Sequence, residues 1–343
     1  DLQKATYLAL QNEIAAIVYS NIKSGEIPIN DVYTALIGNS VINTEHFSKA
    51  KASDTEKNVL SVFKSRQKTT LGKIKQELTS SPEALNTMSD EVLDEFTYII
   101  SMLKDDQVLL KNEIDTSDSV YQKWKNQKIS PKEYLSYCIT QHWIDISQLN
   151  VDEKYADSTE VYDALCKYIL KNIKTDTEFS KIIYQYMITR GEISPRQLCL
   201  ILFDQGVLDY DDATVNKLKN GSLSPRDFLM KKIYNIEITP AQLALEPCTG
   251  SCVVTDEKTG EIRAMVSYPG YDSNKLANGV DSEYFASLQH DKSSPLLNYA
   301  TQQKTAPGST FKLVSATAGL AENVITTSDQ IRCTGIYNDI SNK

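Results

Sequence analysis

Ser309 and Lys312 stand three residues apart in Ala306-Pro307-Gly308-Ser309-Thr310-Phe311-Lys312, which runs into Leu313-Val314-Ser315-Ala316-Thr317-Ala318-Gly319-Leu320. A serine hydroxyl is a weak nucleophile, and a nearby amine that takes its proton is one way to activate it. The chemistry open to such a pair is nucleophilic attack by an activated serine hydroxyl. Both side chains must then point the same way. Pro307 and Gly308 break whatever precedes them, and a helix starting at Ser309 or Thr310 puts positions i and i+3 on one face. The positive end of that helix favours negative charge developing near Ser309 and disfavours a protonated Lys312. Burial beside Leu313 and Val314 is expected to favour the neutral amine further. S-x-x-K alone is a common pattern, ordinarily a helix N-cap with a solvated lysine, so the case rests on what precedes it.

Upstream, Cys252-Val253-Val254-Thr255 and Ile262-Arg263-Ala264-Met265-Val266 are β-type runs, and Asp256-Glu257-Lys258-Thr259-Gly260 between them has the length and glycine of a hairpin loop. Tyr268-Pro269-Gly270-Tyr271-Asp272 then forms a turn-rich exit. The hairpin, this exit, a spacer and Ala-Pro-Gly-Ser-Thr-Phe-Lys together resemble the penicillin-binding proteins, most of all the class B (monofunctional) peptidoglycan D,D-transpeptidases. Asp1-Leu2-Gln3-Lys4-Ala5 with Tyr7 resembles the opening helix of the same domain. The resemblance covers about residues 1–24 and 240–343. Asn298-Tyr299-Ala300 stands where many relatives have Asn-Arg-Ala, in a segment the family uses structurally.

The resemblance implies a serine nucleophile at Ser309, a base at Lys312 and an oxyanion donor at the Ser309 N–H. The substrates would be peptidoglycan stem peptides, with β-lactams acylating the same serine. No cofactor or metal is implied, and the site would face the outside of the cytoplasmic membrane, with an anchor expected upstream of Asp1. Family members also use a downstream S-x-N and a K-T/S-G strand. Neither follows Lys312, and Ser341-Asn342-Lys343 lacks the pattern, so the chain reads as a fragment expected to be inactive alone. A β-lactam sensor or β-lactamase keeps the same pair and stays open. So does a non-catalytic wall-assembly scaffold acting through its helical part.

The remaining sequence bounds these readings. At 343 residues the chain has room for two or three domains. Its net charge of −9 speaks against nucleic acid as a partner. No apolar run is long enough to span a membrane. Cys138, Cys166, Cys199, Cys248, Cys252 and Cys333 form no C-x-x-C, which makes a metal site improbable, and Cys248 and Cys252 are read as free. His46 and His290 lack a Ser-His-Asp pattern, and G-x-S-x-G is absent.

The fold class expected is mainly α, α+β overall: an opening helix (1–24), a helical insertion (25–239), and the N-terminal half of a penicillin-binding transpeptidase fold with a β-hairpin (240–343). Residues 1–24 carry apolar positions at three- and four-residue steps and end at Gly25, a helix expected to be mostly buried. Within the insertion, Ile129-Ser130-Pro131, Ile193-Ser194-Pro195, Leu223-Ser224-Pro225 and Ile238-Thr239-Pro240 repeat one formula: apolar staple, capping hydroxyl, proline at the first helical position. Gly25-Glu26-Ile27-Pro28-Ile29-Asn30 is a looser version, and the recurrence suggests related helix-turn-helix units. Residues 91–110, 161–173 and 179–188 read as amphipathic helices. The lysine-rich stretch 49–75 reads as an exposed helix or loop, and His142-Trp143 with Trp124 as aromatic core. Such an insertion could dock a partner of a wall-synthesis or division complex, form a lid, or have no separate activity.

Overall fold

A computed structural model describes residues 1–80, 83–151, 157–277, 279–330 and 332, in two compact units, Asp1–Ala300 and Thr301–Lys343. The described structure is mainly α, with one two-stranded sheet. In chain order the helices are α1 (Leu2–Ser24), α2 (Ile29–Gly38), α3 (Asp54–Thr79), α4 (Asp90–Asp105), α5 (Ser119–Lys125), α6 (Pro131–Thr140), α7 (Ser158–Ile173) and α8 (Thr177–Thr189). There follow α9 (Pro195–Asp204), α10 (Asp212–Asn220), α11 (Pro225–Tyr234) and α12 (Pro240–Leu243), then the strands β1 (Gly250–Thr255) and β2 (Ile262–Tyr268). The last are α13 (Ser282–His290), α14 (Tyr299–Gln302) and α15 (Phe311–Ala321).

The opening helix ends where its sequence ends it, at Gly25, whose φ of 88° is left-handed and costs glycine little. Its burial differs from the expectation. Ile14, Ala15, Val18 and Ile22 are buried, whereas Leu2, Leu8 and Ile17 are exposed, so a single stripe and not most of the surface is covered. That stripe serves two cores. Val18 and Ile22 join the large helical core, while Ile14, with Leu10 and Tyr7, packs on Ala241 and Tyr268 beside the hairpin.

The stretch 49–75 corrects a second expectation. It lies largely in α3, a central helix that packs on α6, α7, α8 and α9. Its few apolar residues are placed to matter: Val59, Phe63, Ile74 and Leu78 fall on one stripe and are buried, with lysines on the other faces. Ser53 and Glu56 close a capping box at its start. Phe63 stacks on Tyr184 of α8 at 4.2 Å, and Trp124 stacks on Tyr134 at 4.5 Å. Trp143 is buried as expected, but His142 is exposed at φ 57°, so it belongs to a turn and not to the core.

The proline-led starts form as read. Ser130, Ser194, Ser224 and Thr239 accept from the N–H of Glu133, Gln197, Asp227 and Gln242. The reciprocal half of the box closes at Ser194–Gln197 and Thr239–Gln242, whereas at Ser130–Glu133 the serine half alone forms. The structure carries the recurrence further. The helices α2, α6, α9 and α11 are each 10 residues long and begin two positions after Ile27, Ile129, Ile193 and Leu223. Left-handed residues precede each leader (Gly25, Gln127, Gly191, Gly221) and follow each helix (Ser40, His142, Gly206, Ile236). Each helix closes with the same bond, from the N–H of Asn39, Gln141, Gln205 or Asn235 to a carbonyl four residues back. The positions that pack are shared too: Val32 and Tyr33, Tyr134 and Leu135, Leu198 and Cys199, Phe228 and Leu229 are all buried. One helical unit is thus used four times.

A charged cluster lies within the helical core. Glu91 is buried and paired with Arg66 at 2.9 Å and with Arg190. One helical turn on, Glu95 is buried too; burial, with the Glu91 carboxylate beside it, pushes its carboxyl up to about 8.

In the Thr301–Lys343 unit, α15 is followed by Asn323, left-handed at φ 55°, and the N–H groups of Val324 and Ile325 turn back to the Gly319 carbonyl. A Cβ on Gly319 would lie 3.0 Å from Ile325, so glycine lets that turn close. The β-like run expected at 331–335 lies, apart from Arg332, outside the described residues, as do Cys333 and Ser341-Asn342-Lys343.

Candidate active site

Gly308 takes φ 55°, a left-handed value that glycine adopts without a Cβ clash, and it opens a short 3-10 turn, Gly308–Thr310, that runs into α15. The break after Pro307-Gly308 and the helix beyond it are as the sequence predicts. Ser309 lies in the turn and Lys312 in the first turn of α15. At three residues per 3-10 turn, i and i+3 nearly eclipse, which places the two residues on one face. No hydrogen bond joins their side chains. The Thr310 hydroxyl donates to the Pro307 carbonyl and tightens the turn. The Ser309 N–H belongs to this first turn, whose donors have no partner within the helix and whose dipole favours negative charge.

The expected burial is absent from the described residues. Leu313 is 77% exposed, Val314 54% and Phe311 52%, and both Ser309 and Lys312 are exposed. The reason is local: α15 carries apolar residues around its circumference, and among the described residues Ile325 folds back on it at Gly319. A helix of this composition needs cover on several sides.

In the Asp1–Ala300 unit the hairpin forms with β1 and β2 antiparallel, Val253 opposite Met265 and Val254 opposite Ala264, with an irregularity at Val254/Thr255. Its loop is held by Asp256, whose carboxylate accepts from the N–H of Lys258 at 2.9 Å and of Thr259 at 3.1 Å; these bonds hold its carboxyl below the ordinary range. Sequence reasoning missed how α1 is fastened to this hairpin. The Gln3 amide pairs with Met265 in both directions, donating to its carbonyl and accepting from its N–H at 2.8 Å. The Tyr7 hydroxyl accepts from the Gly270 N–H at 3.4 Å, and its ring lies 5.8 Å from that of Tyr268. A Cβ on Gly250 would meet Ile14 at 3.1 Å, so α1 approaches β1 closely there. A Gln four residues before a Tyr, ahead of an apolar stripe, was the available signal.

Tyr299, at the position where arginine was anticipated, is structural. Its N–H donates to the Ser267 hydroxyl at 3.0 Å and its own hydroxyl to the Ser293 carbonyl at 2.7 Å. Cys248, buried, and Cys252 are both free, and burial pushes the Cys248 thiol up to about 11.

Residues 250–342, which include the hairpin and the segment carrying Ser309 and Lys312, match the penicillin binding protein transpeptidase domain. Over that segment the chain is similar to class B penicillin-binding proteins, the peptidoglycan D,D-transpeptidases. It is 44% identical over 77 residues to peptidoglycan D,D-transpeptidase PbpA of Mycolicibacterium smegmatis, covering 22% of this chain and 16% of that protein. To peptidoglycan D,D-transpeptidase MrdA of Escherichia coli K12 it is 43% identical over 74 residues, 22% of this chain and 12% of the other. To MrdA of Acinetobacter baumannii it is 30% identical over 112 residues, 33% and 16%. The chain thus spans less than a fifth of the length of these curated relatives. No solved structure matches it. No helix among the described residues is long and apolar enough to cross a membrane.

Proposed function

We propose that the protein carrying this chain is a peptidoglycan D,D-transpeptidase that works through a serine ester at Ser309. The observation that carries the reading is the placement of Ser309 and Lys312 on one face of a helical start, inside the segment that matches the transpeptidase domain. Lys312 Nζ takes the Ser309 hydroxyl proton as Oγ attacks the carbonyl of the penultimate D-Ala of a stem peptide. The Ser309 N–H donates to the oxyanion, and the tetrahedral intermediate expels the terminal D-Ala, which leaves protonated as the amine. An amine of a neighbouring stem peptide then attacks the ester and regenerates the serine. The apolar circumference of α15 supports its place inside a fuller domain that would bury Lys312 and supply the remaining donors. The extracytoplasmic face of the membrane, where stem peptides are cross-linked, is the corresponding location. The helical part between 25 and 239 is an insertion in this domain, and the Gln3–Met265 and Tyr7–Gly270 bonds support 1–24 as the domain's opening helix.

The test is intact-mass analysis of the full-length protein after incubation with benzylpenicillin. One stable penicilloyl adduct is expected, absent from Ser309→Ala and strongly slowed in Lys312→Met. An adduct that forms and disappears within minutes would make the protein a β-lactamase. No adduct on the wild type would remove the enzymatic reading.

A further inference from the structure

Between α1 and α11 lies a cleft of about 660 Å³. Met230 forms its buried floor, and Tyr19 and Tyr234 form one wall, their rings edge to face at 5.2 Å, with Tyr234 57% exposed. Three cations line it, Lys23, Arg226 and Lys231, against a single carboxylate, Asp227, which is engaged by the Ser224 hydroxyl at 2.7 Å. Arg226 is anchored by donating to the Ile22 carbonyl at 3.2 Å. Lys23 and Lys231 are exposed and form no ion pair with a described residue. In a chain of net charge −9 this is a local inversion of sign.

Comparison across the fourfold helical unit shows that Lys231 is particular to this place. Lys231 occupies the position held by Ala35, Tyr137 and Ile201 in the other three copies, where Ala35 and Ile201 are buried. The fourth copy has an ammonium group where its sisters pack an apolar side chain. Folding does not require that exchange, since the other copies fold without it.

We propose that this cleft binds an anionic saccharide. The exposed ring of Tyr234 offers a flat amphipathic surface for the C–H face of a sugar, and Lys23 and Lys231 meet its acid group, with Arg226 behind them. An aromatic wall alone would take neutral sugars, and the cations alone would take any anion; the pair selects a sugar that carries acid. The inference stands on the Asp1–Ala300 unit and does not depend on the acyl-transfer reading.

Calorimetric titration of the whole chain at low salt with trigalacturonate, chitotriose and inorganic phosphate tests it. Saturable one-to-one binding of trigalacturonate is expected, weakened about tenfold or more by Tyr234→Ala and by Lys231→Glu, and weakened by added salt. Thermal melts establish that each variant is folded, and Lys23→Gln substitutes for any that is not. No binding of trigalacturonate would overturn the proposal. Equal binding of chitotriose would remove the role of charge, and equal binding of phosphate, or indifference to Tyr234→Ala, would reduce the cleft to an anion patch; either result refutes an anionic-saccharide site.

Discussion

Gly308 is the residue on which the proposed nucleophile's position turns. Its φ of 55° is tolerated by glycine and strained by about 1 kcal/mol or more for a residue with a Cβ. Gly308→Val should therefore shift Ser309 and slow penicillin acylation of the full-length protein at least tenfold while leaving its melting temperature within a few degrees; unchanged acylation would show that the left-handed turn is dispensable. Glu95 supports a second residue-scale prediction. Its folded carboxyl sits at about 8 against ~4.3 in an unfolded chain, so the folded state holds a proton that the unfolded state has released between those values. Stability is full below the lower value and declines as pH rises through the upper one, by at most about 1.4 kcal/mol per pH unit. Glu95→Gln removes that decline. Its melting temperature should exceed the wild type's more at pH 8 than at pH 5, and parallel curves would rule the mechanism out.

At the scale of elements, the fourfold unit makes its own tests. Its left-handed positions are glycine at Gly25, Gly191, Gly206 and Gly221, but Gln127 and Ile236 occupy equivalent places at φ 59° and 60°. Gln127→Gly should raise stability by about 0.5–1 kcal/mol in urea unfolding, because the left-handed conformation is disfavoured for a residue with a Cβ; a loss would mean that the Gln127 side chain contributes more than its backbone costs. The capping boxes have the opposite sign. Ser194→Ala removes the acceptor for the Gln197 N–H and should lower stability by about 1 kcal/mol. The proline-led starts were legible in sequence because cap, proline and staple are all local. In three of the four units the second left-handed turn was not, since Ser40, His142 and Ile236 carry no glycine to announce it. The same locality explains α3: composition pointed to solvent, and only the spacing of Val59, Phe63, Ile74 and Leu78 pointed inward.

Across the Asp1–Ala300 unit, α1 is the shared member of two cores, so helical core and hairpin should lose structure together. Val18→Ala, in the helical core, is expected to cost about 2–3 kcal/mol and to move the helical transition and hairpin protection by the same amount; separate transitions by circular dichroism and hydrogen exchange would break that link. What the sequence determined on its own was what lies within a few residues: helix starts and stops, the hairpin, and the Ser309–Lys312 spacing on one face. Caps, turns and the i, i+3 rule act over single turns of chain, so they are written in adjacent letters. Only tertiary structure decided which stripe of α1 is covered, that α3 is central, that Gln3 reaches Met265, and that Tyr19, Lys23, Lys231 and Tyr234 meet across one cleft. Those outcomes depend on which surfaces exclude water from each other over long sequence separations, and a residue's own neighbours in the chain do not record that.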